Sequence, residues 1–469
     1  MEKKFRIESD LLGSREVPEE AYYGIQTLRA VENFDISGCR LADYGNFIKG
    51  LAITKKAAAI ANREVEMISD EQCEAIVWAC DQLIEGQYHD QFPIDMIQGG
   101  AGTSTNMNAN EVIANLALER MGHQKGEYQY CSPNDVVNAS QSTNDAYPCA
   151  IHLAMYMEHL EFIPKLERLI AALKAKAKEF EDIIKMGRTQ LQDAVPMTLG
   201  QTFGAFAASL QHEVRNLNNA AKEYLTVNMG ATAIGTGICS KPGYSKRCIE
   251  ALREITGWHI NVADNLIEAT SATACMIQYS AALKRLCLKT NKICNDLRLM
   301  SSGPRCGLYE IRLPQRQPGS SIMPGKVNPV IPEVMNQVAY MVIGNDMCIT
   351  FASDNAQLEL NVMEPVMAHS MFESFYALGN GIETLRTHCI EGIEPNKERC
   401  RELVEQSIGI VTMLNPIIGY KQSTAIAKEA METGLGVYEL VLKHGLLTKE
   451  QLDKILKPEN MLKPIELKV

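Results

Sequence analysis

The sequence predicts a mainly α-helical, three-domain protein built on a long central helix bundle. Three observations carry this. A chain of 469 residues exceeds what one hydrophobic core supports. Apolar residues recur at alternating spacings of three and four along several long stretches, the signature of bundle packing. Gly/Pro-rich segments then punctuate those stretches rather than interrupting them at random. The reading divides the chain into an N-terminal helical domain (1–140), a central five-helix bundle (141–395) and a small C-terminal helical domain (396–469).

In the first segment, Pro18-Glu19-Glu20 places a proline early and acids in the first turn of a predicted helix. Ser69 with Gln72 three residues on forms a capping box ahead of a helix through Ile76 and Ala79. Asp35 to Tyr44 reads as loop or minor strand. Gln98-Gly99-Gly100-Ala101-Gly102-Thr103 is a glycine-rich loop that feeds a helix through Val112 and Leu118. Ser140-Gln141-Ser142-Thr143-Asn144-Asp145 precedes a helix from about Tyr147 to Ile184. Its seam is Ile163, Leu166, Ile170, Leu173, Ala177, Phe180 and Ile184, with a kink expected at Pro164. Gly187 to Pro196 reads as a polar turn, followed by a second bundle helix over about 197–225. Asn228 to Gly237 is a Gly/Thr loop. It contains G-x-G but follows no predicted strand, so a dinucleotide site is rejected. The third bundle helix, about 264–301, keeps a seam of Met276, Tyr279, Leu283, Leu286, Thr290, Ile293, Leu297 and Met300 until Ser302-Gly303-Pro304 stops it. A fourth helix over about 332–352 and a fifth over about 359–389, kinked at Pro365, complete the bundle. Beyond residue 396, Asn415-Pro416 and Gly419 break the pattern into short helices, and Thr448 with Gln451 makes another capping box.

Hydrophobic residues make up 46% and charged residues 22%, which is ordinary for a globular protein that stays in water. The net charge of −11 argues against nucleic acid and anionic membranes as partners. No apolar run approaches membrane-spanning length, and no apolar segment follows the charged start Met1-Glu2-Lys3-Lys4. The 14 cysteines show no CxxC pair and the nine histidines no HExxH, so neither zinc nor a disulfide framework is indicated, and a cytoplasmic location is expected.

The chemistry concentrates in polar clusters: around Thr103, over Ser142 to Asn144, at Thr189-Gln190, and in Gly319-Ser320-Ser321-Ile322-Met323-Pro324-Gly325-Lys326-Val327-Asn328-Pro329. Two glycines and two prolines forbid a regular helix in the last run. Its hydroxyls, ammonium and carboxamide can hold an anion. Small polar loops opening helix N-termini suit carboxylates as well. On an elongated bundle of roughly 50 Å these clusters lie far apart along one chain, so a site shared between subunits is expected.

The run Gly319 to Pro329 resembles the shared loop of the fumarase/aspartase superfamily of lyases, and the other clusters match that superfamily in order and spacing. Tyr22-Tyr23-Gly24-Ile25-Gln26-Thr27, Gly187 to Leu199, Leu313-Pro314 with Gln317-Pro318, and Asn328 to Val334 resemble its aspartase branch. The small Gly325 fits a small substrate. The resemblance implies reversible removal of ammonia from L-aspartate to give fumarate, through Cβ proton abstraction and a carboxylate-stabilised carbanion. It implies Ser320 as the base. It assigns Thr103, Ser142, Thr143 and Ser321 to the β-carboxylate, and Asn144, helped by Thr103, to the amino group. Thr189, Lys326 and Asn328 go to the α-carboxylate. Gln190 departs from the histidine of many members. It cannot serve as an acid near neutral pH, and an ammonium leaving group, unlike hydroxide, has no need of one. The resemblance further implies a homotetramer with shared active sites and no required cofactor, with activation by a divalent metal such as magnesium left open. Two alternatives stand beside it: a class II fumarase or an ammonia-lyase for a related amino acid such as 3-methylaspartate, and a non-catalytic structural homologue.

Overall fold

The computed structural model describes residues 4–456 and 460; Met1 to Lys3 and most of the segment after 456, both included in the reading above, lie outside the described residues. The chain opens on an antiparallel hairpin, β1 (Phe5–Asp10) and β2 (Gly13–Pro18), rather than a helix. Pro18 therefore ends a strand, a position that needs no ladder N–H, and Glu19 and Glu20 lie in the turn that follows. Helices α1 (Ile25–Asn33), α2 (Gly45–Glu64), α3 (Asp70–Ile84) and α4 (Thr103–Arg120) come next. The Ser69/Gln72 box caps α3 as expected, with both reciprocal hydrogen bonds in place.

Helix α5 (Thr143–Glu179) starts four residues earlier than the sequence indicated and passes through Pro164 without a break. It stops short of Ile184, which belongs to strand β3 (Ile184–Thr189). With β4 (Gln192–Thr198), β3 makes a hairpin where a plain turn was expected. Gln190 and Leu191 turn the corner at φ of 54° and 62°. A two-residue hairpin turn of this kind needs positive φ at both central positions. Asn-Gly announces such a turn and Gln-Leu does not, which is why the sequence concealed it.

Helix α6 (Leu199–Ala221) follows, then β5 (Thr226–Val227), α7 (Tyr244–Thr256) and β6 (Asn261–Val262), which pairs in parallel with β5. The G-x-G loop thus does follow a strand, of two residues only. The single helix expected over 264–301 is two, α8 (Leu266–Ser271) and α9 (Ala274–Met300), and every residue of the predicted α9 seam is buried. Strand β7 (Ile311–Arg312) precedes α10 (Val330–Asp354) and α11 (Glu364–His388). Pro365 stands in the first turn of α11, where a missing N–H costs nothing, so it starts the helix rather than kinking it. Strand β8 (Glu394–Pro395) pairs with β7. Short helices α12 (Lys397–Gln406), α13 (Asn415–Ile418), α14 (Tyr420–Thr433), α15 (Val437–Lys443) and α16 (Lys449–Ile455) close the described chain. The Thr448/Gln451 box caps α16.

Packing groups the described residues into two compact units, one of those up to 163 with 215–285 and 340–378, the other of 164–214, 286–339 and those from 379 on. In the first, α2 lies against α5 and α7 over a core that includes Ile53, Ala57, Ala61, Leu153, Cys248 and Leu252. The alanines and Gly50 let α2 approach closely: a Cβ at Gly50 would stand 2.4 Å from the carbonyl oxygen of Ala150. In the second unit, Val404, Ile410, Leu414, Ile426, Leu440 and their neighbours pack around Met186 of the β3–β4 hairpin.

Backbone cannot yield at the Gly50 crossing as a flexible side chain would. Gly50→Ala is expected to cost about 1–3 kcal/mol of stability despite alanine's better helix propensity, as overpacked cores do. Denaturant titration followed by circular dichroism checks this, and an unchanged midpoint would contradict it.

Candidate active site

In the first unit, the N-termini of α4 and α5 adjoin. Asn106 Nδ2 in the first turn of α4 donates to Thr143 Oγ1 at 3.2 Å. Gly102, at φ 86°, lies so close to the Tyr147 ring that a Cβ there would be 2.5 Å from it. Thr103 stands exposed at the head of α4, and Ser142, Thr143 and Asn144 are half-buried at the head of α5. Two helix N-termini side by side present their positive dipole ends, a setting for a carboxylate.

The hydroxyls there are used as acceptors toward the protein, which leaves their O–H groups to donate outward. Ser142 Oγ accepts the backbone N–H of Asn144 at 3.2 Å, and Thr143 Oγ1 accepts from Asn106. Asn144 is oriented the opposite way. Its Nδ2 donates to the carbonyl of Ala233 at 2.8 Å, leaving its amide oxygen as the acceptor.

Below this surface sits Asp145, fully buried. Its Oδ1 accepts the N–H of Ser142 at 2.9 Å, and its Oδ2 accepts those of Gly230 at 3.2 Å and Thr232 at 2.9 Å. Burial pushes this carboxyl up to about 6, against the pull of its N–H donors and of Lys55. Burial likewise lowers Lys55 to about 7, with Asp145 opposing the shift. Lys55 Nζ donates to Asn138 Oδ1 at 3.0 Å and Gln141 Oε1 at 2.9 Å, fixing the loop ahead of Ser142 from behind. Sequence reasoning missed Asp145 and Lys55. Asp145 carries a signal, since it follows the hydroxyl cluster directly; Lys55 sits in an alanine-rich helix beside Lys56 and carries none.

The second unit holds Thr189, Gln190 and the Gly319–Pro329 loop. Thr189 and Gln190 are exposed at the tip of the β3–β4 hairpin. Its base is fixed by Arg188, whose Nη1 lies 2.8 Å from Oε1 of the fully buried Glu310, with Lys185 3.6 Å from the other oxygen. Ser407 Oγ donates to Asp193 Oδ2 at 2.8 Å across the hairpin's other strand.

The loop is pinched shut at its base. Gly319 N–H donates to the Lys326 carbonyl at 2.7 Å, and Asn328 Nδ2 donates to the Gly319 carbonyl at 2.7 Å. A Cβ at Gly319 would meet Lys326 O at 2.6 Å and Asn328 N at 2.8 Å, so only glycine closes this ring. Within it, Ser320 Oγ accepts two backbone N–H groups, from Ile322 at 3.2 Å and Met323 at 2.9 Å. Ser321 and Lys326 are exposed, and Ser320 and Asn328 are half-buried.

A family model described as "Lyase" matches residues 13–344, and one described as "Fumarase C C-terminus" matches residues 410–463. The chain belongs to the fumarase/aspartase superfamily of lyases. Within this superfamily it is 58% identical to an aspartate ammonia-lyase of Pseudomonas canavaninivorans over 461 residues, 98% of this chain and 97% of the relative. Among solved structures it resembles a fumarate lyase:delta crystallin of Brucella melitensis bound to cobalt, with a TM-score of 0.96 and 49% identity over 98% of this chain and 100% of that one. A class II fumarase of Schistosoma mansoni superposes at a TM-score of 0.92 and 34% identity, covering 98% of this chain and 99% of that one. The mainly helical lyase fold expected from the sequence is therefore the fold of the chain.

The Asp145 carboxylate joins the α5 N-terminus to the loop that carries Ala233, so losing it is expected to loosen both. Asp145→Asn keeps the shape but leaves one acceptor oxygen for buried donors that had two. We expect a stability loss of about 1–3 kcal/mol and faster proteolytic cleavage within 228–237. Equal cleavage rates in the variant and the parent would refute the linkage.

Proposed function

We propose that the chain catalyses the reversible elimination of ammonia from L-aspartate to give fumarate, with Ser320 as the base. Two things support the reaction. The identity of 58% to an aspartate ammonia-lyase spans nearly the whole of both chains, against 34% to the fumarase of known structure. Gln190 also stands where an acid would serve hydroxide but is superfluous for ammonium.

The observation that carries the assignment of the base is the pair of N–H groups on Ser320 Oγ. A serine hydroxyl removes a carbon-bound proton only if its alkoxide is stabilised, and two backbone donors aimed at the oxygen supply that. The Ser320 alkoxide takes the Cβ proton. The electron pair left on carbon spreads into the β-carboxylate, then forms the double bond as the C–N bond breaks and ammonia departs with its own pair. The barrier is lowered by donors whose bonds strengthen as charge builds on that carboxylate. Ser142 and Thr143, with hydroxyl protons free to point outward, Thr103 at a helix N-terminus, and Ser321 fill this role in our reading.

The amide oxygen left to Asn144 suits an ammonium donor. The α-carboxylate falls to Thr189, Gln190, Lys326 and the second N–H of Asn328. The complete site forms, in this reading, at the junctions of a homotetramer. The electron balance calls for no redox cofactor; in our reading none is required, with activation by a divalent metal such as magnesium left open. All 14 cysteines are free thiols, which supports a reducing, cytoplasmic setting. Among the described residues no helix is long and apolar enough to cross a membrane.

Fumarate formation followed by absorbance, with L-aspartate and L-malate tested in parallel, decides the substrate: turnover of malate alone would overturn the reading. Ser320→Ala is expected to lower kcat by about 10²–10⁴-fold with the circular dichroism spectrum unchanged. Retained turnover would remove Ser320 from the base role. Lys326→Ala is expected to lower kcat/KM chiefly through a raised KM, with kcat little changed, because a carboxylate anchor acts in the ground state and the transition state alike. A fall in kcat at unchanged KM would contradict its anchoring role.

A further inference from the structure

In the first unit, Cys39 meets two side chains of α11 that are distant from it in sequence, His369 and Glu373. One donor atom each of Cys39, His369 and Glu373 lies within 4.8 Å of the other two, and all three residues are half-buried. We propose that Cys39, His369 and Glu373 form a binding site for a divalent cation of the zinc class.

The donor types and their placement carry this. His369 and Glu373 are four residues apart on α11, so one helix face presents both. Cys39 approaches from a separate loop whose backbone is fixed independently of any ion. The N–H groups of Ile36, Ser37 and Gly38 converge on Asp95 Oδ2 at 3.0, 2.7 and 3.1 Å, and Ser37 Oγ donates to Asp95 Oδ1 at 2.6 Å. The Cys39 carbonyl accepts the N–H of Met96 at 3.0 Å. This loop therefore holds the thiol beside α11.

Zinc binds sulfur at about 2.3 Å and imidazole nitrogen or carboxylate oxygen at about 2.0–2.2 Å, so tetrahedral ligands stand roughly 3.3–3.8 Å apart. Small side-chain rotations close the present spacing to that range. Solvent can supply the fourth position, since none of the three residues is sealed off.

Tyr44 completes the arrangement. Its phenol donates to Glu373 Oε1 at 2.5 Å and lies 3.5 Å from His369 Nδ1. That hydrogen bond places the phenol as a donor that orients the carboxylate. A thiolate, an imidazole and a carboxylate together select zinc or cobalt over magnesium or calcium, which prefer all-oxygen shells. A purely hydrogen-bonded Tyr44–Glu373–His369 cluster would satisfy the same polar atoms without binding an ion, and experiment separates the two.

The test is titration of the chelator-treated full chain with cobalt(II), read through the thiolate-to-cobalt charge-transfer band in the near ultraviolet. We expect saturation at one ion per chain, displacement by zinc and none by excess magnesium. Cys39→Ser should abolish the band. His369→Ala should weaken binding at least tenfold, and Tyr44→Phe should weaken it by about tenfold, as loss of an orienting partner does. Absence of a saturable band in the unaltered chain would overturn the proposal. So would an undiminished band in Cys39→Ser, which would point to the exposed Cys239 or Cys306.

Discussion

The candidate site residues of the first unit depend on one buried carboxylate. Asp145 gathers backbone N–H groups from the head of α5 and from the loop after β5, so two segments distant in sequence are held by a single side chain. The arrangement is reciprocal: Asn228 Nδ2 donates to the Asn144 carbonyl at 3.0 Å, and Asn144 Nδ2 to that of Ala233. With Nδ2 donating to a carbonyl, a flip of the Asn144 amide would set oxygen against oxygen, so its amide oxygen is left as an acceptor. A buried charge without partners would be costly; here three N–H groups and the nearby Lys55 offset the desolvation. The exposed polar groups are thus set by the geometry of a buried one.

The second unit solves a related problem by different means. Its polar residues ride on a hairpin tip and a loop, neither of which has a packed core of its own. The hairpin is tied down by the buried Glu310 between Arg188 and Lys185, and by the hydrophobic cluster around Met186. The loop is tied to itself, through Gly319 and Lys326. Closing that ring brings Ser320 Oγ against the N–H groups of Ile322 and Met323, so the donors that would stabilise an alkoxide are products of the loop's own backbone path.

The long periodic elements were legible in the sequence because burial of an apolar seam leaves a strict pattern: all eight seam positions of α9 are buried, Thr290 among them. Capping boxes were legible at Ser69 and Thr448 because the hydrogen bonds that make them are local. What escaped was set by tertiary context. The β1–β2 and β3–β4 hairpins turn without the Asn-Gly or Asp-Gly signature, and Pro18, read as a helix start, ends a strand while Pro365, read as a kink, starts a helix, because the local sequence around a proline does not say which of these it does. The candidate site residues were singled out through their clustering in short polar runs. Their supports, Lys55, Asp145, Glu310 and Asn138, were not, since a buried polar group, on a helix as for Lys55 and Asp145 or in a loop as for Glu310 and Asn138, looks like a solvated one until its partners are seen.

The charge balance shows why this division of labour is required. A chain of net charge −11 repels a dianion at long range, so attraction must be local. Two of the cations near the candidate residues are already committed: Lys55 is buried against Asn138 and Gln141, and Arg188 is paired with Glu310. Lys326, by contrast, stands exposed on the loop. The remaining positive potential comes from dipoles, at the heads of α4 and α5 and in the Ser320 ring. Fixed dipoles bind a delocalising carboxylate without neutralising it, whereas a ring of cations would hold the ground state as tightly as the transition state. A site poor in formal charge and rich in oriented N–H and O–H groups is thus suited to a reaction whose difficulty is charge moving from carbon onto carboxylate.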